Sequence, residues 1–267
     1  MNTYRRTNGG YTILEVMIVL TISTVIFATA VLAYSQQNRR AQFSESVQTF
    51  ALNIQDLLND VDTGYYPSDN SFGCTANISG QPNISGSAEQ GTNSGCIFVG
   101  KAIQFAPTDE PSSFLIHTIV GRRLVEGSTT KSVAKLDDAK TRPLNINDLI
   151  EQRRLSADVE VVRVSRAGQT DPAAGVAVIT TAGADGAERS GFNTRSNLVI
   201  IDGSLDIDKS AFGSNLNNLS SSQISLTGVD ICLQEHGFGS GGRQAVVSIG
   251  ADGQGKLSVE AKVDEPC

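Results

Sequence analysis

The feature that most constrains this chain is a run of 19 residues, Val16–Tyr34, without a formal charge, preceded directly by one acid, Glu15. At ~1.5 Å per residue, a helix of that length nearly crosses the ~30 Å hydrocarbon core of a bilayer. The residues ahead of it, MNTYRRTNGG, are polar and basic through Arg5 and Arg6. That bias predicts a cytoplasmic N-terminal flank and an exported remainder. An ionised carboxylate inside an apolar span costs ~2.5–3.5 kcal/mol on insertion scales, so Glu15 calls for a partner.

Three readings compete for this segment. A secretory signal peptide would have the same basic start, the apolar run and an A-x-A at Ala28–Ala30, but its removal leaves Glu15 without a reason. A plain single-pass anchor keeps Glu15 as an uncompensated cost. Arg5-Arg6 also suits a twin-arginine signal, although the residues that follow fit it poorly. Cleavage after Gly10 resolves the problem, because it creates an α-amine on Tyr11. Tyr11 and Glu15 are four apart, on one helix face. The amine then meets its own Glu15 or that of a neighbouring subunit. In a low-dielectric bundle such a pair favours correct packing and penalises a missing neighbour.

The stretch GYTILEVMIVL resembles the class III (prepilin) signal of type IV pilins and type II secretion pseudopilins. In that family a short basic leader ends in Gly, the cut follows it, and Glu stands fifth in the mature chain. Here those residues are Gly10, Tyr11 and Glu15. Tyr11 departs from the usual Phe but keeps an aromatic ring. The resemblance covers about the first fifth of the chain. It implies removal of residues 1–10 by a prepilin peptidase, N-methylation of Tyr11, and assembly with other pilin subunits through their N-terminal helices.

Neither Gly nor Pro occurs between Tyr11 and Thr63, so nothing breaks a helix there. From Arg39 the pattern becomes amphipathic. Phe43, Val47, Phe50, Ala51, Ile54, Leu57, Leu58 and Val61 recur at three- and four-residue steps. Arg39, Gln42, Ser46, Asn53, Asn59 and Asp60 are assigned to the opposite face. Gly64 and Pro67 close the helix. The first half suits lipid or a bundle of like helices, and the second suits packing on a sheet.

Beyond the helix, residues 67–95 are rich in Gly, Ser and Asn and predict a loop. Strands are predicted at Ile97–Phe105, Phe114–Val120, Val159–Ser165, Val176–Thr181, Leu198–Asp202, Val229–Leu233, Ala245–Ile249 and Lys256–Lys262. A short helix is predicted at Ile146–Leu155, capped by Asn145. AVITTAGADG and AVVSIGADG each read as a β-run before an Asp-Gly turn. The cysteines are Cys74, Cys96, Cys232 and Cys267, which allow three pairings. An exported chain favours disulfides. The expected pairs are 74–96 and 232–267, because each closes a local loop. The closing segment GSGGRQAVVSIGADGQGKLSV resembles the C-terminal strands of minor pilins and pseudopilins of the GspH/FimT type.

Enzyme chemistry is not expected. His117 lies in the apolar run FLIHTIV and His236 in a Gly-rich loop, and no G-x-S-x-G or P-loop occurs. Asp202, Asp206 and Asp208 lack the EF-hand order, so they read as a solvated loop and no metal or cofactor is expected. Net charge is −7, which argues against strong general affinity for nucleic acid. Arg243, and the pairs Arg122-Arg123 and Arg153-Arg154, are the candidate contacts for a surface or DNA ligand.

The sequence thus predicts an α+β chain. Residues 1–10 form a leader, 11–35 a transmembrane helix half, 36–63 an amphipathic half, and 64–267 a β-rich pilin-like head. The expected role is a minor pilin or pseudopilin, held first in the membrane and then in a filament at the cell surface. A tip-located adhesin or DNA-uptake subunit is the alternative.

Overall fold

The computed structural model describes residues 12–64, 73–76, 80–85, 95–108, 110, 112–123, 133, 135–144, 149–155, 159–181, 195–225, 227–235, 242–251 and 257–267. The chain divides into two compact units, Met1–Ser44 and Glu45–Cys267. Helix α1, Ile13–Thr63, begins in the first and ends in the second.

In the first unit, Thr12 starts the helix. Its hydroxyl accepts from the Glu15 N–H at 3.3 Å, which satisfies one of the orphan donors of a helix start, and its carbonyl accepts the first intrahelical bond from the Val16 N–H at 3.2 Å. The threonine hydroxyls of the apolar run, and Ser35 just after it, turn inward on the helix backbone. Thr21, Thr24, Thr29 and Ser35 each donate to a carbonyl three or four residues earlier, at 2.8–3.0 Å. Such back-bonding leaves these hydroxyls no demand on a solvent.

In the second unit, α1 closes at Gly64, whose φ of 69° is left-handed and whose N–H reaches the Val61 carbonyl at 3.1 Å. Val47, Phe50, Ile54, Leu57, Leu58 and Val61 are buried. Each such side chain contributes roughly 1.5–3 kcal/mol by leaving water. Their platform is a seven-stranded antiparallel sheet. It is built from β3 (Cys96–Phe105), β4 (Ser113–Arg122), β5 (Arg142–Pro143), β6 (Glu151–Arg154), β8 (Ala173–Thr181), β9 (Arg195–Asp202) and β10 (Ile224–Ser225). The order is β10-β9-β8-β3-β4-β5, with β6 also paired to β4.

Alternation along the strands gives this sheet two working faces. Phe105 and Phe114 meet the α1 ring of Phe50 edge-on, with centroids 6.2 and 5.4 Å apart. The opposite face buries Ala102, Ile119, Ala177 and Val199 with Leu136 and Ala139 of the short helix α2, Leu136–Ala139, and with Phe212 and Leu216 of the segment around helix α3, Lys209–Asn215. Asp208 caps α3, accepting from the N–H groups of Ser210 and Ala211 at 2.8 and 2.9 Å. Two glycines mark register shifts. Gly100 lies at the shift in the β3–β4 pairing and Gly175 at the shift in the β8–β9 pairing. A Cβ on Gly175 would collide with the Ile103 carbonyl oxygen and sit 2.7 Å from the Phe212 ring.

A second, four-stranded sheet has the order β13-β12-β11-β7. Its strands are β7 (Val159–Arg166), β11 (Val229–Glu235), β12 (Gln244–Ala251) and β13 (Leu257–Val263). The two look-alike segments are each the first strand of an antiparallel pair, β8 with β9 and β12 with β13. Their Asp-Gly turns lie outside the described residues.

Two sequence expectations are corrected. The stretch 67–95 is not all loop, because β1 (Gly73–Ala76) and β2 (Pro82–Ser85) form a two-stranded antiparallel ribbon within it. The helix expected at Ile146–Leu155 is replaced, where residues are described, by strand β6. Glu151–Arg154 pair with Ile116–Ser113 of β4. Ladder bonds to that strand, and side chains that alternate between two polar environments, outweigh the local helical spacing of the apolar residues.

Candidate assembly and processing segment

Gly10 and Tyr11 lie outside the described residues. Glu15 occupies the first turn of α1 and is exposed. Around it the apolar side chains are bare: Ile13 is 83% exposed, Phe27 72% and Leu32 65%. A soluble amphipathic helix would cover one such stripe, whereas this one presents large apolar groups all round. The only acid among them sits in the first turn, where a helix start carries partial positive charge. α1 is also long and apolar enough to cross a membrane.

The head end of the same helix is fixed by polar contacts that sequence reasoning missed. Lys101 of β3 is buried at 2% exposure and meets the Asp60 carboxylate of α1 at 2.8 Å and the Glu151 carboxylate at 3.8 Å. Arg153 donates to Asn53 Oδ1 at 2.9 Å and to Glu151 at 3.2 Å. Ser196 donates to Asp62. Asn53 and Asp60, assigned from periodicity to the solvent face, therefore bind the sheet, and Ser46 is buried. A lysine inside a mostly apolar strand, IFVGKAIQF, is the signal that would have revealed a buried carboxylate partner.

The comparisons place the N-terminal segment. A family model described as the prokaryotic N-terminal methylation motif matches residues 5–31. The chain carries the N-terminal signal of a type IV pilin-like prepilin. Nothing among curated proteins or solved structures matches it. The matched stretch spans the basic pair, Gly10, Tyr11, Glu15 and most of the apolar run, and leaves the head outside it. Prepilins of this kind are processed by a peptidase and join other pilins as structural subunits of a filament, and the apolar helix fits membrane anchoring before that step.

Elsewhere in the prepilin, each candidate residue has a definite place. Cys74 and Cys96 are bonded, joining β1 to β3 with Cα atoms 6.0 Å apart. Cys232 and Cys267 are bonded, joining β11 to the C-terminal segment with Cα atoms 5.7 Å apart. The Cys267 N–H also donates to Gln244 at 3.0 Å. Arg243 is half-buried beside β12, and its carbonyl accepts from the Glu235 N–H at 2.9 Å. Arg122 is buried and donates to the Asp138 carbonyl at 2.6 Å, so it is closed to a phosphate, while Arg154 is largely exposed and lies 3.7 Å from Glu110.

Asp206 accepts from Ser204 and Asp208 caps α3. No group of three metal-ligating side chains occurs among the described residues. His236 lies outside them. His117 is buried in β4 against the Phe212 ring at 5.2 Å. Gln104 donates its amide to the Ile207 carbonyl at 2.7 Å, which turns its Oε1 toward His117 Nε2 at 3.3 Å. Nε2 therefore carries the hydrogen, and Nδ1 is a buried acceptor without a partner among the described residues. Burial, aided by the charge of Lys209, lowers this imidazole from 6.5 to about 4. It is a neutral core group rather than a catalyst poised near neutrality.

Proposed function

We propose that this prepilin is a minor pilin or pseudopilin of a type IV pilus or a type II secretion-like filament. Residues 1–10 are its leader, 11–35 the membrane half of the helix, 36–63 the half that carries the head, and 64–267 the head itself. A prepilin peptidase cuts between Gly10 and Tyr11, and Tyr11 is then N-methylated. The new amine pairs with Glu15 of the same or a neighbouring subunit. Before assembly the precursor is a single-pass membrane protein with its head outside the cytoplasm; afterwards it belongs to a filament at the cell surface.

The observation that carries this reading is one carboxylate, four residues beyond Tyr11, in the first turn of a helix whose apolar side chains are otherwise exposed. A lipid anchor has no use for that charge, and a polymer of like helices does. The size of the head and its closing segment support a minor rather than a heavily repeated subunit. The test is N-terminal sequencing with mass spectrometry of the mature protein. A start at methylated Tyr11 is expected. A start after Ala30, or a retained leader, overturns the proposal.

A further inference from the structure

The first unit carries a second charged feature that processing does not use. Arg39 and Arg40 are adjacent and exposed on α1, and neither has an ion-pair partner among the described residues. They follow Tyr34 by five and six positions, or ~7.5–9 Å along the axis. From Glu15 the distance is ~36–38 Å. A bilayer has a hydrocarbon core of ~30 Å and spans ~40–45 Å with its headgroups. With Glu15 at the inner border of the hydrocarbon, both guanidinium groups reach the headgroup layer on the other side. Tyr34, 73% exposed, sits at the boundary where an amphipathic ring is favoured.

The sign of these charges is informative. Positive residues are disfavoured on the exported flank of a span, and here two stand together opposite Arg5 and Arg6. Arginine binds phosphate with a planar, two-pronged geometry. We infer that Arg39 and Arg40 seat the precursor on lipid phosphates of the exported leaflet and thereby set how deeply its helix lies before assembly. This rests on reading the apolar half as the membrane span. After the leader is cut away, Arg5 and Arg6 go with it, and the exported pair still holds the helix in register.

The chain contains no Trp, so a single reporter is free of background. Full-length protein carrying Leu32→Trp is reconstituted into vesicles of phosphatidylglycerol and phosphatidylcholine. Lipids brominated near the headgroup or deep in the chain then quench the indole. Adding Arg39→Gln with Arg40→Gln is expected to move the indole deeper, changing the shallow-to-deep quenching ratio about twofold, since each arginine near an anionic surface contributes separately. Arg39→Lys with Arg40→Lys is expected to keep most of the original depth. Identical profiles for all three proteins overturn the inference. Unchanged depth with impaired filament entry also overturns it, assigning the pair to subunit contacts. An indole that no brominated lipid quenches sinks the membrane reading as well.

Discussion

The buried His117 makes the stability of the head depend on pH in a defined window. Unfolded, its imidazole takes up a proton near 6.5; folded, only near 4. Between those values the unfolded chain binds more protons than the folded one, so stability falls as pH falls from about 6.5 toward 4. Below that, both states are protonated and the contribution of His117 is constant. The gap corresponds to about 3 kcal/mol in full, and to about 2.5 kcal/mol by pH 4.5. Carboxylates titrate over the same range, so the measurement is a difference. Urea unfolding of the full chain in detergent, followed by circular dichroism, is compared for wild type and His117→Leu at pH 7 and pH 4.5. The substitution carries a fixed cost, because Gln104 Oε1 loses its donor. Relative to wild type, however, the variant should gain about 2.5 kcal/mol between the two pH values. If the two proteins lose stability in parallel, the imidazole is not held neutral by its surroundings and the reasoning fails.

Three further outcomes are expected. Asp60→Asn leaves the buried Lys101 ammonium with only Glu151 at 3.8 Å; because Asp60 is partly open to water, the cost is about 1–3 kcal/mol, visible as a lower Tm, and an unchanged Tm would remove the latch from the account. Gly175→Ala drives a methyl group into the Ile103 carbonyl and the Phe212 ring and should cost about 3 kcal/mol or more in urea unfolding, with wild-type stability counting against the packing described. Glu15→Val makes membrane insertion easier by roughly 3 kcal/mol yet should abolish entry into sheared filaments; normal incorporation would leave the acid without its assigned role.

How much of this was legible beforehand depended on whether local pattern and tertiary demand agreed. They agreed along α1 and in the longer strands, where period 3.6 or dense apolar runs coincide with a buried face; Ile97–Phe105 and Phe114–Val120 each fall inside a longer strand. They disagreed at β6, where Ile146, Leu149 and Ile150 carry helical spacing but Glu151–Arg154 answer to the edge of β4. They disagreed again on the helix face, because Asn53 and Asp60 are polar for the sake of Arg153 and Lys101 rather than for water. Short strands such as β1 and β2 have too few residues to show a period at all. The N-terminal methylation motif was the most readable part, since it lies in fixed spacing along one segment and needs no distant contact.

The inward-turned hydroxyls of Thr21, Thr24, Thr29 and Ser35 bear on how such a segment changes surroundings. Each carries its acceptor with it, one turn back on the same backbone. Extraction from lipid into a bundle of neighbours therefore exchanges one oily contact for another and leaves these polar bonds untouched. On the proposed reading, what distinguishes the two destinations is then left to the few charged groups, Glu15 at one end and Arg39 with Arg40 at the other, in a transfer that would otherwise be nearly neutral.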